Sequence, residues 1–129
     1  RPLITFTQLI ENMRHKVKKV KLGSDRDQRV ALMRNLAMQV IIHDSIKTTA
    51  AKAKAVQPFV ERLIHIGKTN EKREAIRQLT RLIQHEDSSK KILEVLVDKY
   101  KDRNSGFTRI IKLGYRSGDN APVVQISLV

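Results

Sequence analysis

Hydrophobic positions recur along the chain at two periods. Val30, Met33, Leu36, Ala37, Val40 and Ile41 follow one another at spacings of three and four, which predicts an amphipathic helix opening near Ser24. Ser24 is the expected cap, and Asp27 stands three residues on, the spacing of a capping box with Asp in place of Glu. Val56, Phe59, Val60, Leu63 and Ile66 predict a second helix over 50–66, capped by Thr49 and stopped by Gly67 as its C′ residue. Pro58 lies inside it and is expected to bend it, because it removes a backbone donor. Ala75, Ile76, Leu79, Leu82 and Ile83 mark a third helix over 70–84. Ile92, Leu93, Leu96, Val97 and Tyr100 mark a fourth over 88–100, capped by Asp87 or Ser88.

Elsewhere the period is two. Ser45-Ile46-Lys47-Thr48-Thr49 is short and β-leaning. Over 107–116 the odd positions (Phe107, Arg109, Ile111, Leu113, Tyr115) are mostly apolar and the even ones (Thr108, Ile110, Lys112, Gly114, Arg116) mostly not. The odd set is therefore expected to face the core and the even set the outside. Arg109 belongs to the odd set, and a bulge or twist near Gly106 would be needed to turn it outward. Ser117-Gly118-Asp119-Asn120 supplies turn chemistry, and Val124, Ile126 and Leu128 form one face of a last strand. The pattern predicts an α+β fold in two layers, with about four helices packed on a small mixed sheet. It divides into an N-terminal extension and extended basic arm, 1–23, and one globular domain, 24–129. No repeat appears at periods of 20–50 residues.

Charge sharpens this picture. Lys and Arg number 26 against 13 acids, a net charge of +13. That excess self-repels until an anion relieves it, and nucleic acid leads an acidic membrane surface as the candidate. Residues 1–58 carry 12 basic and 4 acidic groups, whereas residues 59–99 carry 9 and 7. The middle of the chain is thus close to an ordinary helix surface. Residues 14–22 hold five cations and one His with no acid and no helical stripe, as an anion-binding arm would. Arg26 and Arg29 project on the same sector as the apolar stripe of the first helix. Cations in a first turn oppose the helix dipole, unless a phosphate lies beyond the helix start or Asp25 and Asp27 pair with them.

Other chemistries are poorly represented. There is no Cys, which excludes disulfides, thiolate zinc sites and Cys nucleophiles. Aromatics make up 4% of the chain, too few for an extended base-stacking platform. No run approaches the roughly 20 apolar residues of a membrane span. His15, His43, His65 and His85 are scattered. His43-Asp44-Ser45 has no nucleophile-elbow context, and His85-Glu86-Asp87 reads as a turn between helices rather than a cation site. Gly114 and Gly118 are followed by no GK[ST], so they make no phosphate loop. No catalytic constellation and no cofactor requirement emerges.

Three segments carry a resemblance: 14-RHKVKKVKLG-23, 28-QRVALMRNLAMQVIIHDSIKTTAAKAKAV-56 and 103-RNSGFTRIIKLGYRSGDNAP-122. Met13-Arg14-His15, Arg34-Asn35-Leu36, the IKTT-x-x-KAK run and FTRI with RSGDNAP occur in order. Over roughly residues 13–129 the chain resembles bacterial large-subunit ribosomal protein seventeen and its organelle relatives. It departs from the family pattern at Ile42, where an Arg usually precedes the His, at Ser105, where a Gly is usual, and at Val123, where a Met is usual. The resemblance implies helices packed on a small sheet, and no enzymatic activity. It implies binding to large-subunit ribosomal RNA near the peptide exit tunnel, beside neighbouring large-subunit ribosomal proteins, with no small-molecule substrate and no transmembrane segment.

Residues 1–12 have no counterpart in short bacterial members, and are read as the remnant of a cleaved targeting segment or a trimmed chain. With Asp27-Gln28-Arg29 and Lys101-Asp102-Arg103 they point to an organelle ribosome, plastid ahead of mitochondrion, with a bacterial cytoplasm as the alternative. Charge and resemblance together nominate an RNA-binding set. It comprises Arg14, His15, Lys16, Lys18, Lys19 and Lys21 in the arm and Arg26, Arg29 and Arg34 in the first helix. Lys47, Lys52 and Lys54 follow, and Arg103, Arg109, Lys112 and Arg116 lie near the last two strands. A basic architectural DNA-binding protein is the runner-up, although 45–49 reads as a strand and not as the turn of a helix-turn-helix. A membrane-surface protein ranks third, since 14–22 lacks a bulky apolar face.

Overall fold

A computed structural model of the chain describes Leu22 and residues 25–129. The expected extended arm (all but Leu22) and the Ser24 cap lie outside the described residues. Helix α1 (Arg26–His43) is capped by Asp25, whose carboxylate accepts the Gln28 N–H at 2.9 Å. A carboxylate at this position satisfies an orphan backbone donor and complements the positive end of the helix. Of the predicted stripe, Leu36, Ala37, Val40 and Ile41 are buried, while Val30 remains exposed. The other end of α1 reverses through Asp44 at φ 66°. There Lys91 donates to the Ile42 carbonyl at 3.1 Å and pairs with the Asp44 carboxylate at 2.8 Å, a cation holding a helix C-terminus.

Strand β1 (Ser45–Thr49) leads directly into α2 (Ala50–Thr69). Thr49 occupies the cap position in extended geometry, but its hydroxyl makes no capping bond. α2 runs unbroken through Pro58 and does not stop at Gly67; it ends at Asn70, whose N–H donates to the Ile66 carbonyl. Gly67 has another purpose, because a Cβ there would lie 2.9 Å from Ile92 Cγ2 and 3.2 Å from Val97 Cγ2. It lets a second helix approach closely.

That partner is α4, a composite of Glu86–Lys91, a π-helical segment Ile92–Leu96 and Val97–Lys99. Before it, α3 spans Lys72–Ile83 and closes in Gln84 at φ 53°. α4 starts earlier than expected. Its cap is His85, whose Nδ1 accepts the Ser88 N–H at 3.1 Å, and Ser88 is buried inside the helix. The π segment widens the helix where Ile92 and Val97 meet Gly67.

Strands β2 (Thr108–Tyr115) and β3 (Pro122–Leu128) complete a three-stranded sheet in the order β1-β3-β2. Both pairings are antiparallel, so the sheet is not mixed. The helices cover one face. Ile46, Ile126 and Ile110 form one row on that face, and Thr48, Val124 and Lys112 the next. Val124, Ile126 and Leu128 are buried as expected. β2 is the reverse of its expectation. Thr108 and Ile110 face the helices, while Ile111 and Leu113 are 44% and 46% exposed and Tyr115 is 73% exposed. Only Phe107, just before the strand, is core.

Two contacts explain the reversal. Phe107 packs tilted against Tyr100 with ring centroids 5.1 Å apart, and the Tyr100 hydroxyl donates to the Val129 carbonyl at 2.8 Å. Thr108 then turns inward and donates to Glu61 of α2 at 3.2 Å. Consecutive residues are thus both buried at the strand entry, and the alternation starts from Thr108. Between Lys112 and Gly114 the register shifts, leaving Leu113 as a bulge residue.

Candidate nucleic-acid interface

The first two turns of α1 stand beside an open cleft of about 690 Å³. α1 lines it with Arg26, Arg29, Val30, Met33 and Arg34, α2 with Ala55 and Phe59, and α3 with Leu82. Three guanidinium groups therefore border an apolar floor. They do not behave alike. Arg34 Nε donates to the Leu82 carbonyl at 3.0 Å and its Nη1 to Gln84 at 3.2 Å, so this side chain holds the C-terminus of α3. Arg29 is half-buried, and its Nε is enclosed with no acceptor among the described residues. Arg26 is exposed. Neither Asp25 nor Asp27 forms an ion pair with them within the described residues.

A second group of cations lies on the sheet. The face turned away from the helices carries Ser45, Ser127 and Arg109 across one row and Lys47, Gln125 and Ile111 across the next. Arg109 and Lys47 are exposed there and open to an outside anion. Arg109 thus points outward together with Ile111. Lys112 is also exposed but belongs to the other face, opposite Val124, so the three cations of β2 and its turn do not share one surface. Arg116 closes the β2–β3 turn on Asp119, with Nε donating to Oδ1 at 3.0 Å. That ion pair and the Ala121 N–H hold the Asp119 carboxyl down at about 2. Arg103 donates to the Gly106 carbonyl at 3.2 Å, which orders the loop before β2. Lys52 and Lys54 sit in the first turns of α2, Lys54 exposed and Lys52 half-buried.

Ten of the nominated residues are described, and Arg14, His15, Lys16, Lys18, Lys19 and Lys21 lie outside the described residues. Arg34, Arg103 and Arg116 have internal partners. Arg26, Arg29, Lys47, Lys52, Lys54, Arg109 and Lys112 form no ion pair within the described residues. Sequence reasoning assigned Met33 and Phe59 to the core, whereas both also line the cleft. The signal was present: Val30 and Met33 interleave with Arg26, Arg29 and Arg34 at helical spacing. Among the described residues no group of three or more His, Asp or Glu is placed to hold a metal, and no helix is long and apolar enough to cross a membrane.

The chain is similar to known proteins over most of its length. A family profile described as Ribosomal protein L17 matches residues 32–129. A protein of Ehrlichia canis named large ribosomal subunit protein bL17 is 42% identical over 120 residues, covering 91% of each chain. Its namesake in Novosphingobium aromaticivorans is 43% identical over 117 residues, covering 91% of this chain and 82% of that one. The one in Wolbachia pipientis is 42% identical, covering 91% and 83%. With the profile spanning α1 from Leu32 through the whole sheet, and relatives 42% and 43% identical over 91% of the chain, the chain belongs to the L17 family of ribosomal proteins.

Proposed function

We propose that the chain is a non-catalytic structural constituent of the large ribosomal subunit. It binds large-subunit ribosomal RNA near the peptide exit tunnel through a domain spanning 24–129 and a basic arm before it, beside neighbouring ribosomal proteins. The observation that carries the RNA reading is the set of cations without ion-pair partners among the described residues: Arg26 and Arg29 at the cleft, Lys47 and Arg109 on the open sheet face. A chain of net charge +13 in which these cations meet no ion-pair partner among the described residues has its compensating anions elsewhere. Family membership supports ribosomal RNA as that anion.

The runner-up loses its motif. β1 separates α1 from α2 and pairs along its whole length with β3, which leaves no helix-turn-helix between these two helices. The test is sedimentation of the tagged protein from lysate. Migration with the large subunit and release by RNase supports the proposal. Release by DNase or by detergent would reassign the partner. Cross-linking to rRNA bordering the tunnel exit tests the finer placement. The large subunit of this proposal is that of an organelle ribosome. Cofractionation with organelle large subunits supports it, and association with cytoplasmic ones alone rejects it.

A further inference from the structure

We infer that the cleft beside α1 seats a single unpaired RNA base, with the adjoining phosphates held by Arg26 and Arg29. This rests on the RNA-binding reading above and names what the RNA must present there. The cleft has two kinds of wall. Arg26 and Arg29 make its lining cationic and Val30, Met33 and Phe59 make it apolar, and Val30 is 40% exposed. A phosphate alone would use the cations and leave this apolar surface wet. A planar base with its phosphate uses both. At about 690 Å³ the cleft lies in the range of small-ligand sites and has ample room for one base.

The bases of an A-form duplex are stacked and cannot enter such a cleft, whereas an unpaired base can splay out and lie against an aromatic ring or a guanidinium plane. Arg29 fits that task. Its Nε is enclosed and meets no acceptor among the described residues, so the side chain gains an acceptor by swinging toward an incoming phosphate or base oxygen. One aromatic ring in one cleft also agrees with the low aromatic content, since this is a seat for one nucleotide and not a platform for several.

The experiment is a methyl and aromatic NMR titration of the full 129-residue chain. The probes are a single-stranded oligoribonucleotide, an RNA duplex with the same number of phosphates, inorganic phosphate and adenosine monophosphate. Single-stranded RNA should shift the Val30 and Met33 methyls and the Phe59 ring, adenosine monophosphate should shift them only weakly and at far higher concentration, and the duplex and inorganic phosphate should leave the Phe59 ring in place. Phe59→Leu, which keeps an apolar side chain without the π-face, should weaken single-strand binding about tenfold. Arg29→Lys, which keeps the charge but loses the planar donor, should weaken it as well.

Equal shifts with duplex or inorganic phosphate would reduce the cleft to an anion site and overturn the inference. Tight binding of adenosine monophosphate would make it a free-nucleotide site, and contacts from residues 1–24 to Phe59 would make it an internal seat; either overturns it. Filter binding to a large-subunit rRNA transcript separates the two levels. If the parent protein does not bind the transcript, the RNA-binding reading fails. If the parent binds and both variants bind equally well, this inference alone fails.

Discussion

Arg116 and Asp119 close the β2–β3 turn as a pair three residues apart, and the Ala121 N–H donates to the same carboxylate at 3.2 Å. Hydrogen bonding to Arg116 is the main reason that the Asp119 carboxyl is held at about 2. A folded value below the ordinary carboxylate range means that this turn is stabilised at neutral pH. The stabilisation is present above the unfolded value and is lost as pH falls through about 2. Carboxyl NMR titration should place the Asp119 midpoint near 2, and Arg116→Gln should return it toward the usual range. An ordinary midpoint in the parent protein would mean that the pair does not persist in solution. The same pairing bears on RNA binding, because a guanidinium already shared with Asp119 offers less to a phosphate than Arg109, which forms no ion pair among the described residues. Arg34 is a stronger case, since its donors are committed to the end of α3. Arginines alike in a sequence are distinguished by the acceptor each one meets.

At the scale of elements, Gly67 and β2 show what packing imposes. Alanine is favoured over glycine inside a helix by about 1 kcal/mol, so Gly67→Ala would stabilise an isolated α2. In the folded protein its Cβ would crowd Ile92 and Val97 of α4. Overpacking of this kind costs about 1–3 kcal/mol, and the expected outcome in denaturant melts is a net loss of stability. A variant as stable as the parent would show that α4 can move aside without cost. For β2 the contrast lies between strands. Ile126→Ala removes a fully buried side chain from the sheet's inner face and should cost about 2–5 kcal/mol. Leu113→Ala, at a half-exposed bulge position, should cost less than about 1 kcal/mol. Comparable losses from the two would restore the opposite assignment of faces.

Over the whole molecule, net positive charge is unevenly spread. Residues 1–58 carry 12 basic and 4 acidic groups against 9 and 7 in residues 59–99, and although the cations of α1, the outer sheet face and α3 alike form no ion pair within the described residues, Arg26 and Arg29 border the cleft beside α1. Neutralising Arg26 and Arg29 to Gln should therefore weaken rRNA binding at least tenfold more than neutralising Arg77 and Arg81 on α3. It should also flatten the salt dependence by about 0.7–0.9 log units per tenfold salt for each phosphate that the protein no longer neutralises. Filter binding at several salt concentrations measures both, and equal losses from the two pairs would move the binding face to α3.

The sequence by itself determined the element types, their order and the α+β class, because the apolar periods of α1 to α4 and the alternation of β3 are set by local geometry. It also determined the cationic character and, through its motifs, the family. Its local rules failed where a distant contact took over. Gly67 carries the signature of a helix stop, yet α2 continues because α4 needs the space a side chain would fill. The odd residues of 107–115 have the composition of a core face. Phe107 and Thr108 are nevertheless both drawn inward, by Tyr100 and Glu61, and the rest of the strand follows the second of them. The cleft belongs wholly to tertiary structure. Arg26, Arg29 and Met33 share a face of α1 by their spacing alone, but Phe59 and Leu82 reach them only because α2 and α3 pack against that helix. Periodicity reports which residues share a face of one element; what that face meets depends on groups tens of residues away, and only the assembled chain brings them within reach.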